Sequence, residues 1–228
     1  MTHILLEGYN LSEPWLFDTL RAYIKPHHKV AVIPFAFRDS RVRCAEDWDL
    51  LYGKENGKYY GGITAGFLSY GISEDNITFV QYYRDTPESA KEIIRKADIV
   101  YFPGGLPDRM MERIREFALE EVLLQHTGII MGYSAGAVLQ LAEYHLSPDE
   151  DYPTFGYYRG LPYLRDFYLE VHYTGSEEQK ESIRRVLSER KKTVYATQCM
   201  EGAILVDNGK VKLLGNVHIF EAKNKDRG

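Results

Sequence analysis

Ser134 lies in a segment rich in small residues, GYSAGA at positions 132–137, and its hydroxyl could serve as a nucleophile. An apolar stretch, 128–131, precedes the run and a helical pattern follows it, which is the strand–turn–helix context of a nucleophile elbow. Small neighbours permit a tight, strained turn and let a reacting carbonyl approach the backbone. The alternative is that Ser134 only caps the helix. The motif therefore makes Ser134 a candidate nucleophile.

A second turn, FPGGL at positions 102–106, ends another predicted strand. Ligands of parallel sheets bind beyond the carboxyl ends of the strands, so both turns should lie at one edge. We expect the Ala135 N–H, at a helix start, to stabilise an oxyanion together with an N–H from Gly104 or Gly105, preferably Gly105. The alternative is a plain turn.

A serine hydroxyl needs a base, and the sequence offers seven histidines. His172 is the best placed, because it ends the predicted strand 167–172 and is followed by the turn Tyr173-Thr174-Gly175, where catalytic side chains commonly lie. The alternative is that His172 is an ordinary histidine at a strand end. His145 and His218 are weaker candidates. Surface or packing roles are expected for the others: His3, His27, His28 and His126.

A third group should orient the imidazole, and carboxylates are the usual choice. Glu201 directly precedes the buried strand 203–206, where an unsolvated carboxylate needs a partner. The acidic run 149–151 is the other source, although adjacent acids near proline favour a solvated turn. Glu201 is the preferred candidate, and the acidic run is the second source.

Short apolar runs alternate with helical patterns, which is typical of βα units and a mostly parallel sheet. Strands are predicted at 4–7, 29–34, 77–82, 98–102, 128–132, 167–172, 194–198, 203–206 and 211–214. Helices are predicted at 13–24, 59–70, 87–96, 107–124, 134–143 and 176–190. The segment 147–163 has no regular period and is expected to be an ordered loop. The turn 207–209, Asp-Asn-Gly, predicts a C-terminal β-hairpin.

The bulk composition excludes several classes of protein. The 228 residues, 44% hydrophobic, suit a single α/β domain spanning 1–228, and no apolar run approaches the roughly 20 residues of a membrane helix. The net charge of -5 argues against nucleic-acid binding. The first residues read as a strand rather than an export signal, and two cysteines make no disulfide framework, so a cytoplasmic location is expected.

Four segments together resemble the peptidase S51 family, which contains dipeptidase E and cyanophycinase. They are residues 102–105 (FPGG), 132–137 (GYSAGA), 170–173 (EVHY) and 201–203 (EGA). The resemblance implies an α/β fold like that of class I glutamine amidotransferases, with helices on both faces of the sheet. It implies a triad of Ser134, His172 and Glu201, with Asp149 as the second choice for the acid. It also implies a small peptide substrate and no metal or organic cofactor. A homodimer is one option for assembly.

These four segments indicate the triad more clearly than the substrate preference. The aspartyl preference of dipeptidase E requires a cation, whereas the turn 174–179 after His172 is short and acidic. Arg159, Lys180 and Arg184 are the candidate cations.

Two other functions fit parts of the pattern. An α/β-hydrolase esterase orders its triad serine, acid, histidine, which Asp207 and His218 would complete. A catalytically silent binding protein of the amidotransferase-like fold is the other alternative, since fold does not fix function.

Overall fold

A computed structural model describes residues 1–222, and these form ten strands and eight α-helices. The strands are β1 (Thr2–Leu6), β2 (Val30–Val32), β3 (Ile77–Phe79), β4 (Ile99–Phe102), β5 (Ile129–Tyr133), β6 (Glu143–Leu146), β7 (Gly156–Arg159), β8 (Phe167–Tyr173), β9 (Thr193–Asp207) and β10 (Lys210–Phe220). The helices are α1 (Pro14–Leu20), α2 (Ala45–Tyr52), α3 (Tyr60–Leu68), α4 (Pro87–Lys96), α5 (Pro107–Glu116), α6 (Glu120–Gln125), α7 (Ala135–Val138) and α8 (Glu177–Glu189).

The main sheet has the order β10-β9-β1-β5-β4-β2-β3, and β8 also pairs with β9. The five strands from β1 to β3 in this order are parallel, whereas β9 runs antiparallel to β1 and to β10. The carboxyl ends of β1, β4 and β5 therefore lie side by side at one edge of the sheet. A functional site is expected at that edge.

Alternate residues of the central strands enter hydrophobic cores on opposite faces of the sheet. In β4, Ile99 and Tyr101 pack in one core, and Val100 and Phe102 pack in the other. Helices α1, α2 and α3 cover the first face with buried residues such as Leu16, Trp48 and Phe67. Helices α4, α5 and α6 cover the second with residues such as Ile94, Ile114 and Leu123. The predicted α/β fold with helices on both faces is confirmed.

Several predicted boundaries change. Helix α2 was not expected from the sequence, and the helix predicted at 107–124 is divided into α5 and α6 at Ala118, whose φ is +51°. The helix after Ser134 is only four residues long. The segment predicted as a loop contains β7, which pairs antiparallel with β6. The sequence of this segment has no regular apolar pattern, but pairing with β6 gives its backbone groups hydrogen-bond partners.

The C-terminal hairpin is confirmed, and its strands are longer than predicted. The strands expected at 194–198 and 203–206 are parts of one strand, β9, whose first part pairs with β8 and whose second part pairs with β1. Asn208 and Gly209 both have positive φ, 48° and 78°, as a two-residue hairpin turn requires.

None of the helices in residues 1–222 combines the length and apolar character needed to cross a membrane. Cys44 and Cys199 are both free thiols.

Candidate active site

Ser134 occupies the turn between β5 and α7 in a strained conformation. Its φ of 50° and ψ of -113° are unusual for a residue with a side chain. Its N–H donates to the carbonyl oxygen of Leu6 at 3.0 Å, which fixes the turn to the end of the neighbouring strand β1. Strain of this kind persists only where the surrounding structure enforces it, and it is concentrated at functional sites.

The glycines around Ser134 allow this turn to pack against the sheet. A Cβ on Gly136 would lie 1.9 Å from the carbonyl oxygen of Phe102, and one on Gly132 would lie 2.4 Å from that of Gly136. Both distances are far below van der Waals contact. The small residues of the elbow are therefore required by the approach of backbone to backbone.

The imidazole of His172 faces Ser134, as its predicted position at a strand end suggested. Its Nε2 lies 2.7 Å from the Ser134 Oγ. The residue sits where the pairing of β8 with β9 is irregular, between Glu170 and Tyr173, and its φ is +53°. Such a bulge re-aims a side chain, and here it brings the ring to the serine.

The other ring nitrogen of His172 faces Glu7, the residue directly after β1. His172 Nδ1 lies 2.9 Å from the Glu7 Oε2, and the Glu7 side chain is completely buried. The carboxylate also accepts hydrogen bonds from the His172 backbone N–H, at 3.1 and 3.0 Å, and from the Thr197 hydroxyl. Glu7 therefore fixes both the backbone and the ring of His172, and its acceptor oxygens favour the tautomer with the proton on Nδ1.

The hydrogen bond to Glu7 raises the pKa of His172 above its ordinary value, and burial of the ring acts in the opposite direction. The charges of Glu7, Glu170 and Asp149 add to the increase. A negative carboxylate stabilises the protonated ring, so Glu7 makes the imidazole a stronger base toward Ser134.

The carboxylates that the sequence favoured do not contact His172, and this corrects the predicted arrangement. Glu201 is exposed on β9, where its Oε2 accepts a hydrogen bond from Asn216 at 3.3 Å. Asp149 uses its Oδ1 to accept from the backbone N–H groups of Asp151 and Tyr152, at 2.8 and 2.7 Å, and so closes a turn. Both side chains contact solvent or nearby groups, whereas Glu7 is a buried carboxylate that needs a protein partner.

The residues of the esterase alternative also lie elsewhere. Asp207 accepts from the Thr2 hydroxyl at 3.0 Å in the hairpin, and His218 packs its ring 5.1 Å from that of Tyr173. His145 is buried, with its Nε2 2.6 Å from the Glu170 Oε2. The histidine at Ser134 is thus His172.

Two backbone N–H groups near Ser134 are available to a ligand. Within residues 1–222, neither the Ala135 nor the Gly105 N–H donates to a protein acceptor. Gly105 has a φ of +135°, and a Cβ there would lie 2.3 Å from the carbonyl oxygen of Ala36. Only glycine fits this position without strain. The predicted oxyanion donors therefore remain unsatisfied, as a binding role requires.

A cavity of about 260 Å³ opens beside Ser134 and His172. Aromatic side chains form much of its wall: Tyr9, Phe37, Tyr52, Tyr59 and Tyr133. Arg38, Arg41 and Asp151 supply charge, and Arg38 forms an ion pair with Asp151. Arg41 is exposed and has no ion-pair partner among residues 1–222. The cavity thus combines an apolar surface with one uncompensated cation.

The cations that the sequence suggested are not in this cavity. Lys180 binds Glu177 at 2.9 Å on the surface of α8, and Arg184 binds Glu181 on the same helix. Arg159 is exposed on β7.

A third potential metal ligand accompanies the His172–Glu7 pair. The Cys199 sulfur, an imidazole nitrogen of His172 and a carboxylate oxygen of Glu7 all lie within 4.8 Å of one another.

Comparison with known proteins identifies the family of the chain. Residues 12–214 match the family described as peptidase family S51. The chain belongs to this family. As a member of peptidase family S51, it is a serine peptidase, which accords with a serine and a histidine in hydrogen-bond contact. A search of curated proteins finds no match.

Two solved structures share the S51 chain's fold. One is a proposed peptidase E protein from Listeria monocytogenes EGD-e, with a TM-score of 0.66, 16% identity, and coverage of 94% of this chain and 98% of that one. The other is a peptidase from an acI-B1 Actinobacterium, with a TM-score of 0.62, 18% identity, and coverage of 97% and 91%. At this identity the likeness establishes the fold.

We expect Glu7→Gln to lower the pKa of His172, because an amide carries no charge to stabilise the imidazolium. The measurement is an NMR titration of the His172 ring nitrogens in wild type and variant. Glu201→Gln is the matched control and should leave the titration unchanged. An equal shift in both variants, or a shift only in Glu201→Gln, would contradict the arrangement.

Proposed function

We propose that this S51 peptidase hydrolyses an amide bond in a small peptide through an acyl-enzyme on Ser134. The observation that carries the proposal is the continuous contact of Ser134 Oγ with His172 Nε2, at 2.7 Å, and of His172 Nδ1 with buried Glu7, at 2.9 Å. Serine, base and buried carboxylate in this order form the arrangement that activates a hydroxyl for acyl transfer. The proposed triad is therefore Ser134, His172 and Glu7.

In the first half-reaction, the Ser134 Oγ attacks the carbonyl carbon and forms the new C–O bond. The hydroxyl proton passes to His172 Nε2, and the charge that develops on the imidazole is stabilised by Glu7. The carbonyl oxygen becomes an oxyanion, which the N–H groups of Ala135 and Gly105 are free to bind. Collapse breaks the C–N bond, and His172 gives its proton to the departing amine.

In the second half-reaction, water takes the place of the amine. His172 Nε2 accepts a proton from the water as its oxygen attacks the acyl carbon, and a second oxyanion forms at the same donors. Collapse breaks the bond to Ser134 Oγ, to which His172 returns the proton. The products are a carboxylic acid and an amine, with no change in the enzyme.

The size of the cavity supports a small substrate. Its volume of about 260 Å³ is below the roughly 300–1,000 Å³ of pockets that hold drug-sized ligands. A small cavity beside the nucleophile favours a small substrate, and a dipeptide or short peptide is the substrate class we propose.

The charges in the cavity favour a peptide that carries a carboxylate near the scissile bond. Arg38 is compensated by Asp151, but Arg41 is not compensated within residues 1–222. A guanidinium can bind a carboxylate through two parallel hydrogen bonds, which also orients the ligand. Arg41 is therefore the cation that we propose for substrate recognition.

Ser134→Ala should reduce kcat/KM for a cleaved dipeptide by at least about 10³-fold, because the acyl-enzyme cannot form. The assay is release of free amino acid from a panel of dipeptides varied at the first residue. A fluorophosphonate should label wild type at Ser134 and leave the variant unlabelled. Undiminished turnover by the variant would overturn the assignment.

Glu7→Gln should lower kcat by about 10²–10⁴-fold, because the amide no longer stabilises the imidazolium or enforces its tautomer. Steady-state kinetics on the same dipeptide measures this loss. Glu201→Gln and Asp149→Asn are matched controls that remove an equal charge, and both should keep kcat within about twofold of wild type. A large loss in Glu201→Gln with normal Glu7→Gln would restore the arrangement favoured by the sequence.

Arg41→Gln should raise KM for a carboxylate-bearing peptide about 10- to 100-fold, the effect of losing a hydrogen bond to a charged group. Asp-X, Asn-X and C-terminally amidated Asp-X peptides identify which carboxylate is bound. If Arg41 binds the Asp side chain, the variant should leave KM for Asn-X unchanged. If Arg41 binds the C-terminal carboxylate, the variant should leave KM for the amidated Asp-X peptide unchanged. Arg159→Gln removes an exposed arginine outside the cavity and is the control. Equal KM values in wild type and Arg41→Gln for all three peptides would exclude this role.

A further inference from the structure

Cys199 brings a thiol to the base side of the proposed triad. Cys199 is an exposed residue on β9. Its sulfur lies within 4.8 Å of a carboxylate oxygen of Glu7 and of an imidazole nitrogen of His172. The His172 side chain is 46% exposed, and the Glu7 side chain is completely buried. A buried carboxylate, a partly exposed imidazole and an exposed thiol therefore meet at one point that solvent can reach.

We propose that Glu7, His172 and Cys199 form an inhibitory site for a thiophilic divalent cation such as Zn²⁺. Carboxylate, imidazole and thiolate are the ligands that Zn²⁺ takes in proteins, and three protein ligands with one open position is a common coordination set. Tetrahedral bonds of about 2.0 to 2.3 Å separate the ligand atoms by about 3.3 to 3.6 Å. The 2.9 Å contact between His172 Nδ1 and Glu7 Oε2 must therefore open by a few tenths of an ångström, and the Cys199 sulfur, within 4.8 Å of both ligand atoms, must approach them by at most roughly 1 to 1.5 Å.

The charges and partners of the ligands suit a dication. Glu7 and a Cys199 thiolate supply two negative charges, which match those of Zn²⁺. Glu7 keeps its hydrogen bonds from the His172 backbone and the Thr197 hydroxyl, so these outer contacts continue to orient the carboxylate while it binds. Solvent supplies the fourth ligand on the exposed side.

The same coordination removes the base. Nδ1 is the ring nitrogen that faces Glu7, so the cation binds there and replaces the proton of the Nδ1–H to Glu7 contact. In the neutral ring that proton moves to Nε2, while the Cys199 thiol releases its own proton to solvent. Nε2 then donates to the Ser134 Oγ, 2.7 Å away, and cannot accept its proton. Binding of the cation and base function at His172 are mutually exclusive.

Binding of the cation can be tested without measuring enzyme activity. Co²⁺ added to the metal-free wild-type protein should give a thiolate-to-cobalt charge-transfer absorption, which Zn²⁺ then removes by displacement. Cys199→Ser should lack this absorption and bind Zn²⁺ at least about tenfold more weakly. Cys44→Ser removes the other thiol and should behave as wild type. No cobalt–thiolate absorption in wild type, or the same absorption in Cys199→Ser, would overturn the site.

The inhibitory effect rests on the proposed function and is tested separately. Zn²⁺ should slow fluorophosphonate labelling of Ser134 at least about tenfold in wild type, while Cys199→Ser should require at least about tenfold more Zn²⁺ for the same effect. Normal labelling of the cobalt-loaded or zinc-loaded wild type would overturn the exclusion of base function. Failure of the metal-free protein to label would count against the hydrolase mechanism, and the cobalt absorption would still decide the metal site.

Discussion

The arrangement at Ser134 depends on one buried carboxylate. Glu7 has no solvent contact, and it is held by the His172 backbone N–H, the His172 ring and the Thr197 hydroxyl. A buried charge is tolerated only with partners of this kind, so the fold must keep them in place around Glu7. The requirement extends to the backbone: His172 has positive φ at a bulge, and the hydrogen bonds from its N–H to Glu7 stabilise that conformation.

The parallel sheet provides the second constraint, because it brings distant segments to one edge. Leu6 pairs with Tyr133 in the register of β1 and β5, so the residues that follow these two strands are Glu7 and Ser134. The adjacent strand β4 pairs with β5 and ends just before Gly105. The proposed nucleophile, carboxylate and oxyanion donor thus follow three neighbouring strand ends. The proposed base, His172, comes from β8, outside this group, and the bulge in β8 directs its ring toward Ser134.

Local sequence signals identified much of this arrangement. The small residues at 132–137 indicated the turn at Ser134, and the glycines at 104 and 105 indicated a second turn at the same edge. His172 followed from its place at a strand end. The α/β fold was predictable for the same reason, since each βα unit carries its own pattern of apolar residues.

The partner of His172 was not predictable from such signals. Glu7 is 165 positions from His172, and nothing in the local pattern at 1–8 distinguishes a buried carboxylate from a solvated strand end. Glu201 satisfied the expected chain order, but it lies on the exposed side of β9, next to buried Gly202. The order of strands in the sheet decides whether Glu7 or Glu201 faces His172, and strand order is a property of tertiary structure. Helix α2 was missed for a related reason: only Trp48 and Tyr52 of its residues are buried, which is too few to show a clear period.

Chain order is therefore a weak guide to the third member of such a triad. The same geometry of serine, histidine and acid occurs in unrelated folds with different orders along the chain, because only the positions in space matter. In the proposed triad the order is acid, serine, histidine. The sheet fixes which two strands flank the elbow strand, here β1 and β4, and the residues that follow those strands lie beside the nucleophile. A buried acid at the end of one of those neighbouring strands is thus the physical candidate, wherever in the sequence the strand occurs.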